Sequence, residues 1–155
     1  MPLLEFLDPD AVIPSLRARS KKQVLQDLAG QAARRLPALS DRSVFETLLQ
    51  RERLGSTGIG DGVAIPHGKL PGLDRLHGLF ARFDRPVDFE ALDGQPVDLA
   101  FLLLAPEGAG ADHLKALAQV ARVLRVPGML ASIRAARDAG ALYALLTRNA
   151  ASEAA

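Results

Sequence analysis

The sequence predicts a single α/β domain, one sheet with helices packed on it. Three observations carry this. The chain has 155 residues, enough for one compact domain with a core of useful size. Short apolar runs are mixed with longer segments of helical periodicity. One run, "VDLAFLLLA" (97–105), is apolar almost throughout, the pattern of a strand covered on both faces.

The elements follow in chain order. "DAVIPSLRA" (10–18) reads as a short strand interrupted by Pro14. In "SKKQVLQDLAGQAARRLP", Ser20 with Gln23 makes a capping-box pattern; Val24, Leu25, Leu28, Ala32 and Leu36 recur at helical spacing and Pro37 closes the helix. A second helix lies in "DRSVFETLLQRERLG", with Phe45, Leu48 and Leu49 as its buried face and Gly55 where a C-terminal glycine belongs. A glycine-rich stretch leads into "VAIP", a short strand, and "LHGLFARF" (76–83) alternates as a strand. "EGAGADHLKALAQVARVLRV" holds a third helix. Its buried stripe is read as Leu114, Leu117, Ala118, Ala121 and Leu124, with Asp112 as a possible cap and Pro127–Gly128 as the break. "MLASIRAARDAGALYALLTR" reads as two short helices parted near 138–140. The expected domain is residues 1–150, with 151–155 a disordered tail.

Composition narrows the function. Nineteen Lys+Arg against eighteen Asp+Glu leave a net charge of +1, without the basic surplus of a general nucleic-acid binder. The absence of cysteine excludes disulfides, thiolate catalysis and zinc–thiolate sites. The first fifteen residues hold two Asp, one Glu and no Lys or Arg, unlike a secretory signal. The densest apolar run is far shorter than the roughly 20 residues that a membrane-spanning helix needs. A cytoplasmic protein without membrane insertion is expected.

The most informative stretch is "GSTGIGDGVAIPHGKL" (55–70). Glycines allow positive φ and close approach of a ligand to the backbone, and such a turn can aim N–H groups at an anion. It can equally be no more than a tight connection. The nucleotide motifs do not fit. A Walker A register on Gly68 and Lys69 needs glycine at Val63 and Ser or Thr at Leu70, and Gly58, Gly60 and Gly62 are spaced two by two. His67 closes the stretch. A neutral imidazole is abundant at neutral pH and can carry a phosphoryl group covalently. Taken alone it can also be a satisfied structural residue. Arg51 ends the helix that feeds the loop and offers a fork of donors suited to phosphate, or a solvated charge at a helix end. His113 sits at the start of the third helix, where an anion is favoured and an imidazole can donate to it; a surface residue is the plain alternative. Ser56 and Thr57 either donate hydroxyls or cap the turn, and His77 has no assigned role. A metal site on His67 and His113 lacks a third ligand at recognisable spacing, so no metal or other cofactor is expected.

Together these residues resemble the mannitol/fructose-type IIA domain of the phosphoenolpyruvate-dependent phosphotransferase system. "GSTGIGDGVAIPHGKL" is the main match; "RERLGSTGIG", "PVDLAFLLL" and "HLKALA" extend it over about residues 3–147. The "IPHGKL" form looks most like the nitrogen-regulatory branch. The resemblance implies a mixed sheet of about five strands flanked by helices. It implies that His67 accepts a phosphoryl group on Nε2 from a histidine of an HPr-type carrier, with Arg51 and His113 as active-site partners. Residues Ser56, Thr57, Gly58, Ile59 and Gly60 are then expected to border the phosphate. Asp61 stands where relatives usually carry Asn, and its side chain is expected to face solvent.

Two functions follow as expectations. One is a regulatory protein that binds regulatory or transport proteins according to its phosphorylation state. The other is a sugar-transport component that passes phosphate to a permease. The lack of a membrane segment or fused partner domain favours the first. Lys69 is expected as a rim charge steering a partner, and Leu54, Leu70 and Leu73 as candidates for an apolar docking patch.

Overall fold

The long apolar run organises the architecture. The computed structural model describes residues 2–154. In chain order the elements are β1 (Val12–Leu16), α1 (Lys21–Arg35), α2 (Asp41–Arg53), β2 (Gly58–Gly60), β3 (Val63–Ala64), β4 (His67–Leu70), β5 (His77–Val87), β6 (Val97–Pro106), α3 (Ala111–Leu124), α4 (Met129–Ala135) and α5 (Ala139–Ala154). The sheet has six strands in the order β1-β5-β6-β3-β2, with β4 also paired to β6. About five strands were expected; the extra one arises because residues 55–70 break into three short strands.

Strand β6 is central, and its alternation feeds two cores. Ala100, Leu102 and Leu104 face α1 and α2, where they meet Leu25, Leu28 and Leu48. Leu99, Phe101 and Leu103 face the other layer with Val120, Val123, Ile133 and Leu142. Each fully buried Leu or Phe stabilises the fold by about 1.5–3 kcal/mol. One edge of β6 runs antiparallel to β5. Its other edge is parallel to β3 and then, after a jog at Ile65 and Pro66, to β4, with His67 opposite Leu103. The Pro66 carbonyl bridges the jog by accepting from Leu103 N–H at 3.0 Å. Strand β1 lies at the sheet edge, parallel to β5, with an irregular register between Ile13 and Leu16. An edge strand tolerates Pro14: β1 runs through it, while its pairing to β5 is interrupted there.

Helix starts are capped as the sequence indicates for α1, where Ser20 Oγ accepts from Gln23 N–H; the Gln23 side chain accepts from Arg19 N–H rather than from Ser20. Three expectations change. Helix α2 buries Val44, Leu48 and Glu52, while Phe45 and Leu49 are half-buried. Helix α3 turns His113, Ala116, Val120, Val123 and Leu124 inward, so Leu114 is 69% exposed and Ala118 is also exposed. The expected stripe is thus offset by about one residue, roughly 100° of helix. Asp112 makes no capping bond; Gly110 occupies the N-cap. Helix α5 is the last element, and Ala155 lies outside the described residues. Among the described residues no single helix is long and apolar enough to cross a membrane.

Candidate functional site

Three elements converge on His67. It opens β4, Arg51 lies in the last turn of α2, and His113 lies in the first turn of α3. Strand β4 and helix α2 approach closely because residue 68 is glycine. A Cβ there would fall 2.6 Å from Cγ2 of Thr47, well inside van der Waals contact. Arg51 is one helical turn beyond Thr47, so this close packing sets the guanidinium beside the imidazole.

The hydrogen bonds fix the state of the ring. His67 Nδ1 lies 2.8 Å from the Ile65 carbonyl, which can only accept, so Nδ1 carries the proton. Nε2 therefore holds the lone pair, and Arg51 Nε donates to it at 3.2 Å. Arg51 Nη1 is anchored on the Gly55 carbonyl at 2.9 Å. Burial is the main force on the ring's acidity and pushes its pKa below the usual histidine value. The Ile65 bond opposes this, the Arg51 charge adds to it, and the Glu52 carboxylate opposes it. The result is a neutral imidazole with a nucleophilic nitrogen at neutral pH.

His113 meets His67 edge-on, ring centroids 5.6 Å apart and planes at 69°. It is 6% exposed, and its Nε2 is buried without a hydrogen-bond partner. Burial, then the neighbouring His67 and Lys69, holds its pKa down as well. An unsatisfied buried polar atom is costly, on the order of 1–3 kcal/mol, and it marks where a bonding ligand would be welcome. The N-terminus of α3 adds a favourable field for an anion. His77 begins β5 and is not part of this cluster.

The glycine-rich loop is held by its own side chains. Ser56 Oγ donates to the Phe89 carbonyl and accepts from Gly58 N–H. The Thr57 hydroxyl donates to Glu52 at 2.6 Å. Both hydroxyls thus hold the turn. Ile59 and Gly60 continue into β2, which pairs with β3. Asp61 adopts φ +57°, a conformation that Asp and Asn tolerate better than most residues, and it is exposed as expected. Among the described residues no three His, Cys, Asp or Glu side chains gather as metal ligands.

Comparison with known proteins shows the family. Residues 5–149 match the family described as "Phosphoenolpyruvate-dependent sugar phosphotransferase system, EIIA 2". The chain belongs to this family. Two relatives are similar over nearly their whole lengths, and both are named nitrogen regulatory protein. That of Bradyrhizobium diazoefficiens is 61% identical over 146 residues, 94% of this chain and 95% of that one. That of Pseudomonas aeruginosa is 43% identical over 144 residues, 93% of this chain and 94% of that one. The crystal structure of nitrogen regulatory protein IIA-Ntr from Neisseria meningitidis superposes with a TM-score of 0.88 at 38% identity, covering 94% of this chain and 99% of that chain.

Proteins of the IIA family take phosphate from one protein and pass it to another. Among the large exposed apolar side chains, Leu54 (85% exposed) directly follows α2, which carries Arg51, and Leu114 directly follows His113. Leu70 is not available, since it is 2% exposed and packs in the core, and Leu73 is half-buried against the same core. Lys69 is exposed, as a rim charge should be. The residue that sequence reasoning missed is Glu52. It is 6% exposed and binds both Thr57 N–H and Thr57 Oγ. The signal was present: Val44, Leu48 and Glu52 repeat every four residues on the buried face of α2.

Proposed function

We propose that His67 is the phosphoryl acceptor of a regulatory IIA protein acting in the cytoplasm, and that an HPr-type phosphocarrier is its donor. The observation that supports this reading most is the fixed tautomer. With Nδ1–H held by the Ile65 carbonyl, the Nε2 lone pair accepts from Arg51, and the His113 ring, whose Nε2 is unpaired, packs edge-on against the His67 ring.

The step follows from that arrangement. The Nε2 lone pair attacks the phosphorus of the carrier's phosphohistidine in line. The carrier's N–P bond breaks and its electron pair returns to the carrier's imidazole. The new N–P bond leaves positive charge on the His67 ring, which Nδ1–H shares with the Ile65 carbonyl. Arg51 releases Nε2 and turns its donors to the phosphoryl oxygens, and His113 donates its Nε2–H once that nitrogen carries the proton. Such transfer is mostly positioning and electrostatics. No metal is required.

The regulatory role is favoured over sugar transport because both relatives above are named for nitrogen regulation. Phosphate at the docking face then acts as a signal that selects partners by charge. Mixing the chain with a phosphorylated HPr-type carrier tests the reading. One phosphoryl group should be gained by mass, and none by His67→Ala. Rapid onward loss of the group to a sugar through a permease subunit would replace the regulatory role with the transport one.

A further inference from the structure

A continuous chain of bonds runs from the start of α1 to the ring of His67. Lys21 Nζ meets Glu52 Oε1 at 2.9 Å. Glu52 Oε1 accepts from Thr57 N–H at 2.8 Å, and Oε2 accepts from Thr57 Oγ at 2.6 Å. The Thr57 carbonyl accepts from Ile65 N–H at 3.0 Å. The Ile65 carbonyl in turn holds His67 Nδ1. Glu52 is also the neighbour of Arg51 in the last turn of α2.

We propose that Glu52 is a positioning residue for phosphoryl transfer: through Thr57 and the Ile65 peptide it holds His67 in the Nδ1–H tautomer, with Nε2 presented to the incoming phosphorus. This rests on His67 being the acceptor. The Glu52 side chain is 3% exposed, and burying a carboxylate is expensive unless it is paired. Lys21 stands in the first turn of α1, where the helix dipole disfavours a cation; besides Glu52 it lies 3.8 Å from Glu90 Oε1 and over the Phe89 ring. Each makes the other tolerable. Three donors converge on the carboxylate, two from Thr57 and one from Lys21. A carboxamide can keep these contacts only if the Thr57 hydroxyl turns round to accept from its NH2, and it loses the charge that pairs with Lys21. A group kept only for stability would more simply be apolar. A carboxylate here instead fixes the loop in one register, and so fixes the carbonyl that selects the tautomer.

The test reads the ring directly. Side-chain 15N NMR of the full chain, recorded above the His67 pKa, should show the Nδ1–H tautomer in the wild type. Glu52→Gln should give a mixture of tautomers and slow phosphoryl acceptance roughly 10–100-fold, the scale expected for a misplaced reacting group. Thr57→Val, which removes the hydroxyl but keeps the N–H, should fall between. Thr57→Ser should restore both tautomer and rate. A folded Glu52→Gln protein of lowered stability but wild-type tautomer and rate overturns the proposal. Should Glu52→Gln fail to fold, Thr57→Val decides in the same way: a wild-type tautomer and rate overturn it, and a mixture supports it. A wild type that takes no phosphate refutes the acceptor reading instead, while the tautomer of the variants still decides whether Glu52 orients the ring.

Discussion

Replacing Gly68 by alanine should separate packing from chemistry at this site. The backbone at Gly68 is not in the positive-φ region, so alanine meets no conformational strain there. Its Cβ would instead lie 2.6 Å from Thr47 Cγ2. That is about 1 Å short of an ordinary carbon–carbon contact. Thr47 is β-branched and helical, so its χ1 has few alternatives, and α2 must give way. Overpacking of this kind costs about 1–3 kcal/mol. At this chain length each kcal/mol lowers Tm by roughly 2–4 °C. The larger effect is on chemistry. Arg51 rides on the same helix, and moving it by about 1 Å from His67 can cost up to about 10²-fold in transfer rate. Thermal unfolding and the rate of phosphoryl acceptance from a carrier measure the two effects. Adding Thr47→Ala to Gly68→Ala removes the clashing methyl and should recover most of both. A Gly68→Ala protein with native Tm and native transfer rate would refute the reasoning, as would a double variant no better than the single one.

Other predictions follow from the same geometry. Arg51→Ala should lower the transfer rate about 10²–10³-fold, the loss of one charge-stabilising donor. It should cost no more than about 1.5 kcal/mol of stability in a denaturant titration, since the bond to Gly55 is the main structural one lost. The pKa values of His67, His77 and His113 are all held below the usual value, so the unfolded chain binds more protons than the folded one in the acid range. Stability should therefore be full above about pH 6.5 and fall as pH drops through the lowered folded values, which unfolding at a series of pH values would record. Leu54→Asp should leave Tm unchanged, because the residue is 85% exposed, yet raise the carrier concentration for half-maximal transfer about five- to tenfold.

Much of this was legible in the sequence because it is local. The continuous apolar run 97–105 could only be a doubly covered strand, and β6 is one. Ser20 announced the start of α1. Arg51, His67 and His113 were each readable as chemistry, and the structure brings them together. What was not legible depends on partners distant in the chain. The inward face of α3 is set by the sheet it covers, so the leucine-rich stripe misled while His113 and the small Ala116 turned in. The value of Gly68 lies in Thr47, across the packing of β4 on α2. For Ser56 and Thr57 the sequence left two roles open, and the partners of their hydroxyls, Phe89 and Glu52, are not readable from the local pattern. Glu52 itself was hidden among charges in "RERLG", where only its four-residue spacing from Leu48 set it apart.

The most direct measurement is 31P–15N correlation NMR on the chain after reaction with a phosphorylated HPr-type carrier. The proposed mechanism predicts phosphorus bonded to Nε2 of His67, with the Nδ1 proton still in place. Phosphorus on Nδ1, on His113, or on any other side chain would contradict it.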